Sequence, residues 1–274
     1  MRIGSVLLAL LVLAGCGQVR ASDPDAAAQA PMPEAMRQAR AARFDPGVLR
    51  LRLVGAQPGW PGPRLPVAPP PRRIDCTHAR CVALTFDDGP GENTGRLLDI
   101  LAAHHARATF FLLGQMVTKE TQGFVRRMVA EGHEVGNHSW DHASLTGLSG
   151  EALARELERT QAVVRQVAGV RMRLMRPPYG ATDHKVEEAT RREGLSQIMW
   201  ALDTLDWRDR NAGIVAGRCG AAKPGDIVLM HDIHPTTVEA VPRLLDELDR
   251  KGYTYVTVSE LLGSPVPGKQ YFNR

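Results

Sequence analysis

The 274-residue chain is 43% hydrophobic, 23% charged and 5% aromatic, a composition typical of soluble globular proteins and unlike that of disordered or collagen-like chains. Its formal net charge of +4 is unevenly distributed. Residues 1–73 hold ten arginines and four acidic residues, whereas residues 74–274 hold 24 basic and 26 acidic residues. The larger part is slightly acidic, which argues against a nucleic-acid-binding domain with a basic face. We therefore expect no nucleic-acid partner.

The N-terminus has the pattern of an export signal. Arg2 precedes an uncharged apolar run, residues 3–13, which is too short to cross a bilayer but fits the apolar region of a signal peptide. Residues 13–16 (LAGC) resemble a bacterial lipobox, in which cleavage precedes a cysteine that becomes lipidated. We predict a signal peptide at residues 1–15, lipidation of Cys16, and an exported lipoprotein on the cell membrane facing the cell wall. Simple secretion is the alternative.

The segment that follows has the composition of a linker. Residues 16–73 lack sustained hydrophobic periodicity and contain proline-rich stretches at 58–63 and 69–71, which favour an extended backbone. We predict a largely disordered Pro/Arg-rich tether. Its arginines would lie against anionic lipid or cell-wall polymer, or they would simply keep a solvated spacer soluble.

Three cysteines remain once Cys16 is assigned to the anchor. Cys76 and Cys81 are five residues apart in a chain that we expect to be exported, which favours a disulfide. A metal site is the alternative, but no second cysteine pair or nearby histidine pair completes one. Cys219 is expected to be a buried free thiol.

From residue 81 onward, apolar β-type runs alternate with helical patterns. The alternation predicts a parallel α/β fold. Seven units in so short a chain favour a reduced or distorted (β/α) barrel. No Gly-x-Gly-x-x-Gly motif follows the first strand, so dinucleotide binding has no support. The predicted strands are residues 82–86, 108–113, 134–138, 174–176, 197–202, 226–230 and 253–258, and the predicted helices are residues 94–105, 118–131, 149–168, 183–193, 212–221 and 236–251.

Ionisable residues follow several of these strands. In a (β/α) barrel the functional residues lie at the carboxyl ends of the strands, so we expect these side chains to meet at one mouth. In chain order they are Asp87 and Asp88, His138, Arg176, residues 203–207 and residues 231–232.

A metal site is predicted within that set. His138 and His142 are four residues apart, so a helical turn after the third strand would project both imidazoles to one side. A carboxylate from residues 87–88 would complete a two-histidine, one-carboxylate ligand set, which leaves positions open for water and substrate and suits Zn²⁺ or another first-row ion. A strand-ending turn is the ordinary explanation for residues 87–90, but a turn does not require two adjacent acids after an apolar strand.

The remaining residues can supply acid–base chemistry. One carboxylate of the pair can bind the metal while the other takes a proton from the water that the metal activates. Arg176 can hold that base ionised and oriented. His231 can donate the proton that a leaving amine needs, with Asp206 or Asp232 stabilising its imidazolium; a structural histidine at a strand end is the alternative. Together these groups describe metal-assisted hydrolysis of an amide or ester.

Five motifs in this order resemble those of the NodB-type polysaccharide deacetylases (carbohydrate esterase family 4), over about residues 80–262. The resemblance implies a distorted (β/α) barrel and a divalent metal, most commonly Zn²⁺, with Co²⁺, Ni²⁺ or Mn²⁺ as alternatives. It also implies hydrolysis of N-acetyl or O-acetyl groups on carbohydrate polymers. The motifs are TFDDGP (85–90), HSWDH (138–142), RPPY (176–179), DTLDW (203–207) and LMHD (229–232).

The resemblance also implies a role for each matching residue, and no catalytic position departs from the pattern. The implied roles are general base for Asp87, metal ligand for Asp88, His138 and His142, orientation of the base for Arg176, oxyanion stabilisation by the backbone N–H of Tyr179, general acid for His231 with Asp206 as its partner, and walls of the acetyl pocket for Trp207 and Leu229.

We thus predict a catalytic domain at residues 74–265 and a C-terminal tail at 266–274. Outside the barrel we see neither a carbohydrate-binding module nor a sign of an obligate protein partner, so a carbohydrate polymer and the membrane are the expected partners. The favoured activity is N-deacetylation of a cell-wall or extracellular aminosugar polymer. The alternatives are an O-acetyl esterase acting on acetylxylan and a non-catalytic sugar-binding lipoprotein.

Overall fold

Nine strands and eight α-helices make up the part of the chain that the computed structural model describes, residues 65–70 and 72–274. The predicted signal peptide, Cys16 and most of the predicted tether lie outside the described residues. The strands are β1 (Arg80–Asp87), β2 (Thr109–Leu112), β3 (Glu134–Asn137), β4 (Leu174–Met175), β5 (Ser196–Ile198), β6 (Leu202–Asp203), β7 (Ile227–His231), β8 (Tyr253–Tyr255) and β9 (Gln270–Tyr271). The helices are α1 (Thr94–Ala103), α2 (Gln122–Ala130), α3 (Gly150–Ala168), α4 (His184–Arg192), α5 (Asp206–Asp209), α6 (Ala212–Cys219), α7 (Pro235–Arg250) and α8 (Val258–Leu262).

The central strand of the sheet is β1. Seven of its eight residues are buried, as expected for a parallel strand covered on both faces. Val82, Leu84 and Phe86 belong to the large apolar cluster shared with the helices, whereas Ala83 belongs to a second cluster on the opposite face of the sheet. Because side chains alternate along a strand, Asp87 shares the inner face with Ala83.

All the paired strands run parallel, in the order β6-β7-β1-β2-β3-β4-β5-β9, with β8 beside the first residues of β1. The short link between β5 and β6 bonds to β9, at one edge of this curled sheet, and to β7, which lies next to the other edge. In it, the N–H of Met199 donates to the Tyr271 carbonyl at 2.7 Å, and the N–H of Ala201 donates to the Ile227 carbonyl at 3.0 Å. The predicted α/β class, with a distorted (β/α) barrel, is confirmed.

The predicted number of strands, about seven, was too low. The predicted strand at residues 197–202 is two strands, β5 and β6, because its halves pair with different partners. Hydrophobicity alone gives no sign of that change of partner. Strand β9 lies within the predicted C-terminal tail and pairs with β5. The short helices α5 and α8 were not predicted.

The six predicted helices are all present, with ends that differ by a few residues. Polar caps fix two of them: Ser149 Oγ accepts the Ala152 N–H at the start of α3, and Asp183 Oδ1 accepts the Val186 N–H at the start of α4. Among the described residues, no helix combines the length and the apolar character that crossing a membrane requires.

The described cysteines take two forms. Cys76 and Cys81 are joined by a disulfide that closes the loop immediately before β1. Cys219 is a buried free thiol at the end of α6, and burial raises its pKa to about 12. A buried thiol that stays protonated at neutral pH is unreactive and acts only as a packing group.

Candidate metal centre and acid–base pair

The polar side chains predicted from the strand ends do meet at one mouth. Asp87 is the last residue of β1 and faces the inner side of the sheet. Alternation alone would turn Asp88 away, but its backbone is left-handed, with φ of 74°, and aspartate is one of the residues that tolerate this conformation. Both carboxylates therefore reach His138, with Oδ2 of Asp87 at 3.8 Å and Oδ1 of Asp88 at 3.4 Å from its Nε2.

Asp88, His138 and His142 form a cluster that fits a divalent metal. Asp88 Oδ1 is 3.4 Å from His138 Nε2 and 3.5 Å from His142 Nε2, and one ligand atom from each residue lies within 4.8 Å of the others. Ligands about 2.1 Å from a tetrahedral ion are about 3.4 Å apart, so these spacings suit Zn²⁺. Asp88 Oδ1 is buried and has no hydrogen-bond partner, a costly arrangement unless a cation satisfies it.

The protonation of this cluster also suits metal binding, which requires ligands free of protons. Burial lowers the pKa of His142 to about 4, against the attraction of Asp88. Burial alone would raise the pKa of Asp88, but His142 and His138 hold it well below its ordinary value. His138 Nδ1 lies 2.7 Å from the carbonyl of Arg176; it donates to this oxygen, which directs the Nε2 lone pair into the cluster.

The loop that carries both histidines is not the helical turn that we expected. Ser139 and His142 both have left-handed backbones, with φ of 70° and 65°. Glu156 Oε2, on α3, accepts the backbone N–H groups of Trp140 and Asp141 at 2.8 and 3.2 Å, and Ser139 Oγ accepts that of His142 at 3.0 Å. Side-chain acceptors thus replace the hydrogen bonds of a helix. Sequence reasoning missed Glu156, whose only signal was an acid on the inner side of a predicted helix.

Arg176 orients Asp87 from a fully buried position. One terminal nitrogen, Nη1, donates to Asp87 Oδ1 and to Thr85 Oγ1, both at 2.8 Å. Nε donates to the Ile198 carbonyl and Nη2 to the Met199 carbonyl, each at 2.9 Å. Burial lowers the pKa of Arg176, against the attraction of Asp87, but a guanidinium remains charged. The carboxylate is therefore fixed with one oxygen on the arginine and the other toward His138.

His231 and Asp206 form a buried ion pair. His231 Nδ1 lies 2.8 Å from Asp206 Oδ1, and the Asp206 carboxylate also accepts the His231 and Trp207 backbone N–H groups and the Thr237 hydroxyl, at 2.7 to 2.9 Å. Burial opposes a charge on His231, but Asp206 outweighs it and raises the pKa of His231 to about 10. His231 is therefore an imidazolium at neutral pH.

Asp232, the other expected partner of His231, belongs to a different contact. Its Oδ2 accepts the Thr94 hydroxyl, and that hydroxyl accepts the Gly91 N–H at 2.8 Å. A Cβ on Gly89 would lie 2.4 Å from Asp232 Oδ1, so the carboxyl group covers residue 89. Burial raises the pKa of Asp232 to about 7. The ambiguity between Asp206 and Asp232 is therefore resolved in favour of Asp206.

Three further predicted residues belong to elements that end at or follow this mouth. Tyr179 has a left-handed backbone, with φ of 63°, and its ring contacts the His142 ring edge to face at 4.5 Å between centroids. Leu229 is buried on β7, on the same face as His231 by strand alternation. Trp207 is half-buried on α5. Asp87 and His231 lie directly opposite one another in the β1–β7 register, so a carboxylate and an imidazolium stand side by side next to the candidate metal centre.

A (β/α) barrel with this set of groups at the carboxyl ends of its strands matches the arrangement that the sequence motifs led us to expect. Residues 74–198 match the family model for polysaccharide deacetylase. A solved structure described as a T48 deacetylase with substrate superposes with a TM-score of 0.69 and 43% identity, over 72% of this chain and 99% of that one. The chain belongs to the polysaccharide deacetylase family.

Two curated relatives are similar to this chain over its barrel. The peptidoglycan-N-acetylglucosamine deacetylase PgdA of Listeria monocytogenes is 46% identical over 196 residues, which cover 70% of this chain and 41% of the relative. A peptidoglycan-N-acetylglucosamine deacetylase of Bacillus cereus is 38% identical over 211 residues, which cover 72% and 76%. The chain thus matches about two fifths of the length of PgdA and about three quarters of the Bacillus protein.

Proposed function

We propose that this protein is a metal-dependent N-deacetylase that removes acetyl groups from an aminosugar polymer, with N-acetylglucosamine of peptidoglycan as its substrate. The observation that carries the proposal is the side-by-side placement of Asp87 and His231 next to the cluster of Asp88, His138 and His142. The names of the two relatives support the choice of polymer.

The chain's own groups account for the proton movements. A divalent cation held by Asp88, His138 and His142 would lower the pKa of water and polarise a carbonyl. Asp87, held by Arg176, is the base that accepts a proton from the attacking water. The backbone N–H of Tyr179 is our candidate donor to the developing oxyanion, as the family motif implies.

Proton donation to the leaving group distinguishes amide from ester chemistry. An amide nitrogen needs a proton before it leaves, and His231 is a proton donor held in its charged form by Asp206. An ester oxygen leaves more readily without one. Hydrolysis of an N-acetyl group therefore depends on this acid more strongly than hydrolysis of an O-acetyl group does. Trp207 and Leu229 are our candidates for the walls of the acetyl pocket.

Acetate release from the full chain tests this proposal. We would compare peptidoglycan, chito-oligosaccharide and acetylxylan, each with chelator and after Zn²⁺ or Co²⁺ is restored. We expect chelator-sensitive release from peptidoglycan. Release from acetylxylan alone would replace the proposal with an O-acetyl esterase. No release from any substrate by metal-loaded protein would favour a sugar-binding protein. Loss of release in Asp87→Asn, with bound metal unchanged, would support the assigned base.

We also propose, from the sequence, that Cys16 carries a lipid anchor in an exported protein. The Arg72 guanidinium bonds to Glu260 and to the Tyr255 carbonyl, beside the start of β1 and away from the catalytic mouth. Cys16→Ser should release the protein from membranes, and unchanged partitioning would contradict the anchor.

A further inference from the structure

A second cavity lies at the opposite end of the barrel from the catalytic mouth. It has a volume of about 460 Å³ and adjoins another of about 400 Å³, and Arg171 and Arg173 line both. Glu134, the first residue of β3, and Arg173, just before β4, place it at the amino ends of the strands. None of the residues assigned to the acid–base pair or to the metal cluster lines it.

Positive charge dominates this cavity, although residues 74–274 are slightly acidic overall. Arg72 and Arg107 also line it, and both bond to Glu260. Arg171 and Arg173 are exposed, and within the described part of the chain neither forms an ion pair with an acidic residue. Arg171 donates only to a backbone carbonyl, that of Glu193, at 3.1 Å. Two guanidinium groups are therefore left without a counter-charge.

The acids that line the cavity are already occupied. Glu134 Oε1 and Oε2 accept the hydroxyl and the backbone N–H of Ser259, the latter at 2.9 Å, and Glu260 is held by its two arginines. His133 also lines the cavity, but its ring nitrogens are engaged elsewhere. Nδ1 accepts the Ala108 N–H at 3.1 Å, and Nε2 is buried 3.9 Å from Glu131 Oε2, on a residue that does not line the cavity.

We propose that this cavity binds a phosphate ester. Two uncompensated guanidinium groups on one concave surface favour an anion with several acceptor oxygens, the geometry that arginine recognises well. The cavity is much larger than a phosphate ion, and Val129, Val135 and Met172 line the rest of it, so the ligand carries an apolar or neutral group beside its phosphate.

Binding of glycerol 3-phosphate to the full-length metal-loaded protein, measured by calorimetry, tests the proposal. The double variant Arg171→Gln/Arg173→Gln should bind at least about tenfold more weakly, the equivalent of losing one charge-assisted hydrogen bond. The matched control is Arg191→Gln/Arg192→Gln, which removes the same charge from exposed positions on α4 that lie near Glu188. Its affinity should equal that of the wild type.

Two outcomes would overturn the proposal. One is an equal affinity of the two double variants for glycerol 3-phosphate, because binding would then depend only on the net charge of the protein. The other is loss of binding in His138→Ala, which keeps this cavity intact; the phosphate would then bind at the catalytic centre. Because the readout is binding and not acetate release, failure here would leave the proposed activity untouched.

Vesicles distinguish two sources of such a phosphate ester. Each double variant would be made in a full chain that also carries Cys16→Ser. These proteins would then be sedimented with vesicles of phosphatidylglycerol or of phosphatidylcholine. Weaker retention on phosphatidylglycerol for Arg171→Gln/Arg173→Gln than for the control would identify a lipid headgroup. Equal retention, together with the calorimetric loss, would identify a soluble or polymeric phosphate ester.

Discussion

Replacing Asp206 by asparagine should convert His231 from a charged into a neutral residue at working pH. The substitution keeps the size of the side chain but removes the carboxylate that raises the pKa of His231 to about 10. Burial would then act unopposed by Asp206 and lower that pKa toward or below its ordinary value of 6.5. At pH 8 a group with a pKa of about 6.5 is about 3% protonated. The fraction of the protein that carries a protonated His231 should therefore fall about thirtyfold or more.

The assay is kcat/KM for acetate release as a function of pH. Activity that depends on protonated His231 is lost as pH rises through its pKa, so the alkaline limb should move from near pH 10 in the wild type to below pH 7 in Asp206→Asn. An NMR titration of the His231 ring would report the same shift directly. An unchanged alkaline limb, or a ring pKa that stays above 9, would refute this account of the ion pair.

Asp209→Asn is the matched control. Asp209 lies on the same short helix but pairs with Arg208 and Arg218, so the same charge is lost without a change at His231.

The free energy of unfolding gives a second readout. Because the pKa of His231 is raised in the folded state, the stability that it contributes is full below about pH 6.5 and lost as pH rises toward 10. Asp206→Asn should flatten that part of the pH–stability profile. It should also lower the free energy of unfolding by about 1–3 kcal/mol, because the NH₂ group of the new amide would face a backbone or ring N–H, and two donors cannot bond to each other.

Three other substitutions test separate parts of the site. His138→Ala removes one ligand, so dialysed protein should retain well under one Zn²⁺ per chain; a full complement would contradict the assignment. Gly89→Ala places a methyl group 2.4 Å from Asp232 Oδ1 and should lower stability by about 1–3 kcal/mol in denaturant melts; an unchanged midpoint would show that the carboxyl group moves freely. Asp87→Asn should abolish acetate release while metal content persists, and metal loss in step with activity would speak against its role as the base.

The sequence was most informative where strands end. Apolar runs followed directly by Asp87, His138 or His231 predicted both the strands and the mouth, because alternation and parallel pairing leave few other placements. Asp88 shows the limit: strand alternation alone would have directed it away from the mouth, and its left-handed backbone is visible only in the structure.

Other features depend on partners distant in sequence. Nothing near Arg176 indicates that its guanidinium donates to two carbonyls after β5 as well as to Thr85 and Asp87. The division of residues 197–202 into two strands likewise depends on β7 and on a strand near the C-terminus. Local composition cannot report such pairings, so these were the parts that sequence reasoning missed or left open.

The register of β1 against β7 has a consequence for how this scaffold can diversify. Asp87 and His231 are neighbours because five consecutive residue pairs of the two strands are aligned, so their spacing is set by main-chain hydrogen bonding in the barrel wall. Loops above the wall that carry neither these two residues nor Asp206 are free of that constraint. Exchange of these loops can therefore change which polymer binds, while the distance between the proposed base, Asp87, and the proposed acid, His231, stays the same.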